Sequence, residues 1–208
     1  MKIKNNVFLL DSTKRNFVYL ITGEEPVLID TGFPGKSKQI IGEITRLGIN
    51  PRDIAHILLT HHDVDHIGNA KALQLATGAR LWASKEDLPY IQGERNREGI
   101  KRIVQAIIKV DKPRVDSTFT EGQNIASVEV IPTPGHTPGH VAFLYEDILF
   151  VGDLVRTNKG KIKRFPSLGT WNKAIMEMSL QQIKSYNFEW ICPAHGEPLR
   201  GRDLWETL

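Results

Sequence analysis

Four side chains able to bind a metal ion, His61, Asp63, Asp65 and His66, fall within six residues of Thr60-His61-His62-Asp63-Val64-Asp65-His66-Ile67-Gly68. The apolar run at 54–59 that leads into them has the length and β-branched content of a buried strand. Alternate residues of an extended segment project to one side. His61, Asp63 and Asp65 can therefore converge on one point, and a turn at His66 brings its ring to a neighbouring one. Residues 67–78 then read as a helix closed by glycine. Strand, ligand-bearing loop and helix start together make a metal cradle. A solvated acidic turn is the plainer alternative, and three later segments weigh against it.

Thr133-Pro-Gly-His136-Thr-Pro-Gly-His140 holds a histidine in a glycine-flanked turn. Phe150-Val-Gly-Asp153 places a carboxylate at the end of an apolar strand, and Trp190-Ile-Cys-Pro-Ala-His195-Gly does the same with an imidazole. All three lie where a loop leaves an expected strand, so they can gather on one sheet edge. This order resembles the metallo-β-lactamase superfamily, whose signature is His-x-His-x-Asp-His followed by separate His, Asp and His ligands. The likeness covers nearly the whole chain, from Leu28-Ile-Asp30-Thr-Gly32 onward. It departs at one place: Asp63 stands where the signature has its second histidine.

The resemblance implies an α/β fold, an αββα sandwich of two mixed β-sheets flanked by helices. It also implies two divalent ions, Zn2+ first, with Mn2+ or Fe2+ as alternatives. Site one would take His61, Asp63 and His136, and site two Asp65, His66 and His195. Asp153 would bridge them, with Asp65 and Asp153 carrying catalytic roles. Asp30 at a strand end resembles the family's second-shell aspartate, which orients metal ligands; a helix N-cap is the competing reading. His62 alternates away from its neighbours and falls outside the ligand set. His140 reads as a partly buried polar residue, His56 is assigned no chemistry, and Cys192 reads as packed.

The 208 residues suit one domain, 1–208, and a 40 % apolar, 25 % charged composition is that of an ordinary globular protein. A net charge of +3, with basic residues spread apart from Lys159-Gly-Lys161-Ile-Lys163-Arg164, leaves no electrostatic footprint for nucleic acid. That basic stretch reads as a solvated loop. Cys192 is the only cysteine, so no intrachain disulfide can form. Val7-Phe-Leu-Leu10 is short for a signal peptide's apolar region, and no run approaches a membrane span. The expected location is cytoplasmic, and the expected partner is a small-molecule substrate.

Strands are expected at 3–10, 17–21, 26–30 and 80–83, with a helix at 36–47, a strand–helix rhythm that indicates an α/β core. Later strands fall at 125–131, 141–145, 148–151 and 188–192, with a helix over 170–186. Residues 84–120 differ: they read as a helical insertion whose stripe of Ile100, Ile103, Val104, Ile107 and Ile108 packs on the core. Both this insertion and the basic loop at 156–167 are expected to wall the pocket, through side chains such as Tyr90 and Phe165.

Three aspartates and a bridging hydroxide would balance two divalent ions, and without metal the clustered carboxylates are expected to take up protons. A carboxylate at 63 should shift preference from zinc toward harder ions such as manganese. Only residues 196–208 follow His195, so the helical extension by which glyoxalase II recognises glutathione thioesters is expected to be absent. The favoured function is a dinuclear hydrolase of an ester, lactone or thioester. The alternatives are a phosphodiesterase or small ribonuclease, and a non-hydrolytic iron protein such as a persulfide dioxygenase.

Overall fold

A computed structural model describes residues 1–208. The first sheet runs in the order β1 (Lys2–Lys4), β2 (Val7–Leu9), β3 (Tyr19–Ile21), β4 (Val27–Ile29), β5 (His56–Leu58), β6 (Arg80–Ala83) and β7 (Ser117–Thr118). Its first four strands pair antiparallel and the rest parallel. Helices α1 (Ser37–Arg46) and α2 (Ala70–Thr77) supply the crossovers that parallel neighbours require. Two short helices, α3 (Leu88–Ile91) and α4 (Gly99–Ile107), fall between β6 and β7.

The second sheet is built from β8 (Asn124–Ile125), β9 (Val128–Pro132), β10 (Val141–Tyr145), β11 (Ile148–Gly152), β14 (Trp190–Pro193) and β15 (Leu199–Arg200). Only β11 and β14 pair parallel, across the crossover helix α5 (Lys173–Ile183). Strands β12 (Val155–Asn158) and β13 (Lys161–Arg164) form a separate antiparallel hairpin. The expected basic loop at 156–167 is thus largely a hairpin. Its period-two pattern, with Val155, Thr157 and Ile162 buried between exposed charges, sets the strand.

The period of two decides which face each side chain joins. Val27 and Ile29 point between the sheets, where they meet Val130, Phe143 and Phe150, while Leu28 between them points to the helix layer with Ile40 and Ile44. On the far side of the second sheet, Leu149, Val151 and Ile191 pack against Met176, Leu180 and Ile183 of α5. Each such fully buried aliphatic chain contributes roughly 1.5–3 kcal/mol. Layers therefore stack helix, sheet, sheet, helix, which is the expected αββα sandwich. Cys192 is buried in the middle layer, where desolvation pushes its thiol up.

The helix ends follow local chemistry. Asn172 caps α5, its side chain accepting from the backbone N–H groups of Ala174 and Ile175. Gly78 ends α2 at φ +80°, a left-handed cap that glycine adopts without penalty. The expected strand at 3–10 is instead two, β1 and β2, because the chain turns at Asn5-Asn6.

One correction is larger. No residue of α4 is buried, and Ile103 and Ile107 are 57 % and 75 % exposed, so the isoleucine stripe does not pack on the core. Lys101, Val104 and Ile108 turn toward a cavity instead. A charged contact made by Lys101, described below, fixes that rotation.

Candidate metal centre

Loops leaving β5, β9, β11 and β14 meet at one edge of the two sheets. They bring His61, Asp63, His136 and Asp153 into one group and Asp65, His66 and His195 into another, each with ligand atoms close enough to share an ion. Every sequence-expected ligand is in one of these two groups.

In the first group, His61 Nε2 lies 3.4 Å from Asp63 Oδ2 and 3.8 Å from Asp153 Oδ2. His136 Nε2 lies 3.0 Å from Asp63 Oδ2 and 3.4 Å from Asp153 Oδ2. A tetrahedral ion with ligand bonds of ~2.0–2.1 Å separates its ligand atoms by roughly 3.3–3.4 Å. The four separations given, 3.0 to 3.8 Å, bracket that spacing. In the second group, Asp153 Oδ1 is 3.4 Å from His66 Nε2 and 3.2 Å from His195 Nε2, and His195 Nε2 is 3.4 Å from Asp65 Oδ2. Asp153 thus turns one oxygen to each group.

Hydrogen bonds at the back of three of the four rings aim the candidate ligand atoms, while His136 Nδ1 is buried without a partner. His66 Nδ1 donates to Asp30 Oδ2 at 2.8 Å, and His195 Nδ1 donates to the Arg15 carbonyl at 2.8 Å. His61 Nδ1 contacts Thr60 Oγ1 at 3.0 Å, and that hydroxyl donates to Asp30 Oδ2. Each interaction occupies Nδ1 and leaves Nε2 facing the cluster. Inside it, His61 Nε2, His66 Nε2, Asp63 Oδ1 and Asp153 Oδ1 are buried without a hydrogen-bond partner. Buried polar atoms are rarely left so, and a divalent cation fits this donor set.

Asp30 is therefore part of the support rather than a helix cap. It sits at φ +60°, accepts from the Thr60 backbone and hydroxyl, and holds His66, while the residue preceding α1 is Lys36. Gly68 lets the loop close here, since a Cβ would collide with the Gly32 carbonyl oxygen and Pro34. His62 belongs to neither group: its ring stacks on Tyr90 at 4.4 Å, its Nδ1 lies 3.0 Å from Asp87 Oδ2, and its Nε2 lies 3.6 Å from the outer oxygen, Oδ1, of Asp63. His140 Nε2 accepts from the backbone N–H of Asp153 at 3.1 Å, tying the bridging loop in place. Burial and the nearby His136 push His140 down to about 3, which keeps it a neutral acceptor.

Three residues outside the motifs complete the site. Asp87 is buried and accepts from the backbone of His62 and Gly139 and from the Thr137 hydroxyl, joining the loops that carry Asp63 and His136. Its partners lie 25 to 52 residues away, so no local signal could reveal it. Lys101 Nζ donates to Asp63 Oδ2 at 2.6 Å and to the His136 carbonyl at 3.2 Å, and sits 3.0 Å from His136 Nε2. Arg97 is buried, donates from Nη2 to the His62 carbonyl and places Nε 3.9 Å from Asp63 Oδ1.

Lys101 and the imidazoles correct the expected titration. Burial alone would push Asp63 up, but Lys101, His136 and His61 hold it well below the usual carboxylate range. Asp153 is likewise held low by His195 and His66 against its burial. Without metal, His66 and His195 hold protons while Asp63 and Asp153 stay ionised. Burial opposes the charge on His195, yet Asp153 and Asp65 raise it to about 10, and Asp30 with Asp153 raises His66 well above its ordinary value. Burial and the neighbouring His66 push His61 well down.

A profile described as the metallo-beta-lactamase superfamily matches residues 13–195. "Uncharacterized protein YobT" of Bacillus subtilis (strain 168) is 34 % identical over 197 residues, 88 % of this chain and 83 % of that protein. A hydroxyacylglutathione hydrolase of Shewanella baltica (strain OS223) is 30 % identical over 138 residues, which span 66 % of this chain and only 46 % of that enzyme. Among solved structures, TTHA1623 in a di-iron-bound form superposes with a TM-score of 0.72 at 28 % identity, covering 90 % of each chain. No helix of the present chain is long and apolar enough to cross a membrane. With the family pattern matched across most of its length, and both sheets and both ligand groups arranged as that pattern implies, the chain belongs to the metallo-beta-lactamase superfamily.

Proposed function

We propose that this protein is a dinuclear metal-dependent hydrolase acting on an ester, lactone or thioester of a small molecule. One observation carries the reading: Asp153 Oδ2 faces His61 and His136 while Asp153 Oδ1 faces His66 and His195. A carboxylate split in this way serves two ions, and catalytic pairs sit about 3.5–4 Å apart, a span one carboxylate covers. His61, Asp63 and His136 would hold the first ion and Asp65, His66 and His195 the second.

Divalent ions held there supply Lewis acidity toward a carbonyl oxygen and bring the pKa of bound water toward neutrality. The chain's own residues do the remaining work. Asp30, Thr60 and the Arg15 carbonyl orient three imidazoles, and Asn16 donates to Asp65 Oδ2 at 2.6 Å. Val64, Phe33 and Phe165 line the cavity over the clusters, limiting water around the reacting carbonyl. The relative named hydroxyacylglutathione hydrolase supports hydrolysis at such a centre, although this chain matches less than half of it. The exposed basic hairpin gives a phosphodiester little support: Arg164 is already committed to Glu177 at 2.9 Å.

The test is a panel of carboxyl-ester, lactone, thioester and phosphodiester substrates, run beside metal analysis by mass spectrometry of protein purified with and without oxygen. Two ions per chain with turnover of an acyl substrate is the expected result. A single ion per active chain would defeat the dinuclear reading, and turnover confined to phosphodiesters would defeat the acyl one. The di-iron form of the 28 % identical TTHA1623 gives iron a specific claim beside zinc, which the same metal analysis decides.

A further inference from the structure

Arg97, just before α4, and Lys101 in its first turn enter a cavity of about 280 Å³ that also contains Asp63, Asp65 and Asp153. The rest of the wall is largely apolar: Phe33, Val64, Val104, Ile108 and Phe165. We propose that the cavity selects an acyl substrate bearing a carboxylate, and that Lys101 and Arg97 bind that carboxylate. The proposal rests on the hydrolase reading above.

Lys101 and an ion in the first position want the same atoms. Its ammonium is 2.6 Å from Asp63 Oδ2 and 3.0 Å from His136 Nε2, both of which face that position. An imidazole Nε2 has one lone pair, so it serves the ammonium or an ion but not both. An ion there would compete with the ammonium for both atoms and free donors of Lys101 toward the cavity. The His136 carbonyl, 3.2 Å away, remains to it, while the cavity's other carboxylates, Asp65 and Asp153, belong to the ligand groups.

Arg97 gives an independent pointer. It is 5 % exposed, its guanidinium is anchored by Nη2 to the His62 carbonyl, and its Nε is buried with no hydrogen-bond partner. Asp63 Oδ1 stands 3.9 Å away, beyond hydrogen-bond reach. A buried charged donor without an acceptor is costly and marks a place for one.

Charge gives the sign of the ligand. Three aspartates and a hydroxide would balance two divalent ions, so the charges of Lys101 and Arg97 are left over. A filled cavity is thus positive in a setting with mostly apolar walls, where a neutral ester leaves the excess unbalanced. A carboxylate brings two oxygens for the two donors, and the apolar wall then meets the hydrocarbon part of the same small acid.

Metal-loaded protein is assayed with 4-nitrophenyl butyrate and with the 4-nitrophenyl hemiester of glutaric acid, and glutarate or inorganic phosphate is titrated into it by calorimetry. The hemiester should be preferred, and Lys101→Met and Arg97→Met should each cut that preference roughly ten- to hundredfold, the worth of a charged hydrogen bond, mainly through KM. Glutarate affinity should fall in parallel, while Lys101→Arg retains most of both. Preference for the neutral ester, preference that survives both methionine variants, or phosphate binding tighter than glutarate and equally dependent on Lys101 would each overturn the proposal. Should Lys101→Met lose its native circular dichroism, Arg97→Met and Lys101→Arg decide it alone. Lys101-dependent glutarate binding without hydrolysis of any ester would leave the carboxylate site standing and remove the hydrolase reading.

Discussion

The group around His61, Asp63 and His136 is roofed by residues of the insertion, whereas across Asp153 the side chains of His195 and Asp65 keep 26 % and 24 % of their surface exposed. Their surroundings differ as much as their depth. Asp63, the carboxylate that stands where the family signature has an imidazole, is countered by the ammonium of Lys101 and faced by Arg97. Asp65 has a neutral partner, Asn16, and the partly exposed imidazole of His195, with no lysine or arginine paired to it. The extra negative charge at position 63 is thus offset from within the chain. An exchange of histidine for aspartate cannot be read in isolation when a cation has been brought to it.

The bridge is where breaking the comparison should cost most. Asp153→Ala removes the one residue common to both groups. It is expected to lose at least one ion and to lower turnover by at least about 10²–10³-fold, the scale for losing a preorganised charged contact. Metal content by mass spectrometry beside steady-state rates checks this. Both ions retained with undiminished turnover would mean that the two groups work without a shared ligand.

Asp30→Asn separates the groups instead of breaking both. Asp30 Oδ2 holds His66 directly but reaches His61 only through Thr60. Affinity for the second ion should fall by about 10–100-fold, as is usual for a carboxylate behind a ligating histidine, with a smaller change at the first. Stepwise zinc titration by calorimetry resolves the two, and an equal loss at both would erase the distinction.

Asp63→His, Lys101→Met and the double variant sharpen the electrostatic half of the comparison. In metal-free protein the two residues should show a coupling of roughly 0.5–3 kcal/mol by denaturant unfolding, the range for side chains in contact. In competition between zinc and manganese, Asp63→His should move toward zinc. Additive stabilities together with unchanged selectivity would make Asp63 a bystander to both its cation and an ion.

The smallest effect concerns the exposed group. His195 is raised to about 10 in the metal-free fold against an ordinary value near 6.5. A raised folded value means that its contribution to stability is complete below about pH 6.5 and is lost as pH climbs toward 10. Chelator-treated protein should therefore lose stability over that window, and His195→Gln should flatten the decline. Thermal unfolding at several pH values measures it, and identical profiles for the two proteins would exclude His195 as the source.

Much of the centre was legible because metal ligands are chemically conspicuous and lie at strand ends. The residues at 61–66, His136, Asp153 and His195 could each be picked out from residue type and a neighbouring apolar run. Short apolar runs rich in β-branched residues likewise marked β4, β5 and β11 as buried strands, since strands covered on both faces read as near-continuous apolar sequence. Helices α1, α2 and α5 announced themselves through apolar spacing and their ends. These readings succeed because each depends on a few adjacent residues.

What the tertiary structure alone decided depends on partners distant in the chain. The sequence of α4 shows an amphipathic helix, but not which face turns inward; the Lys101 contact with Asp63, 38 residues earlier, sets that. Asp87 looks like any loop aspartate until two distant loops converge on its two oxygens. Clustered carboxylates suggested protonation on their own account, and only the placement of Lys101, His66 and His195 moved the protons elsewhere. Coulomb energy depends on separation in space and on burial. The sequence by itself therefore determined which groups can bind metal and where the strands run, while the fold decided how those groups are charged and which cations face them.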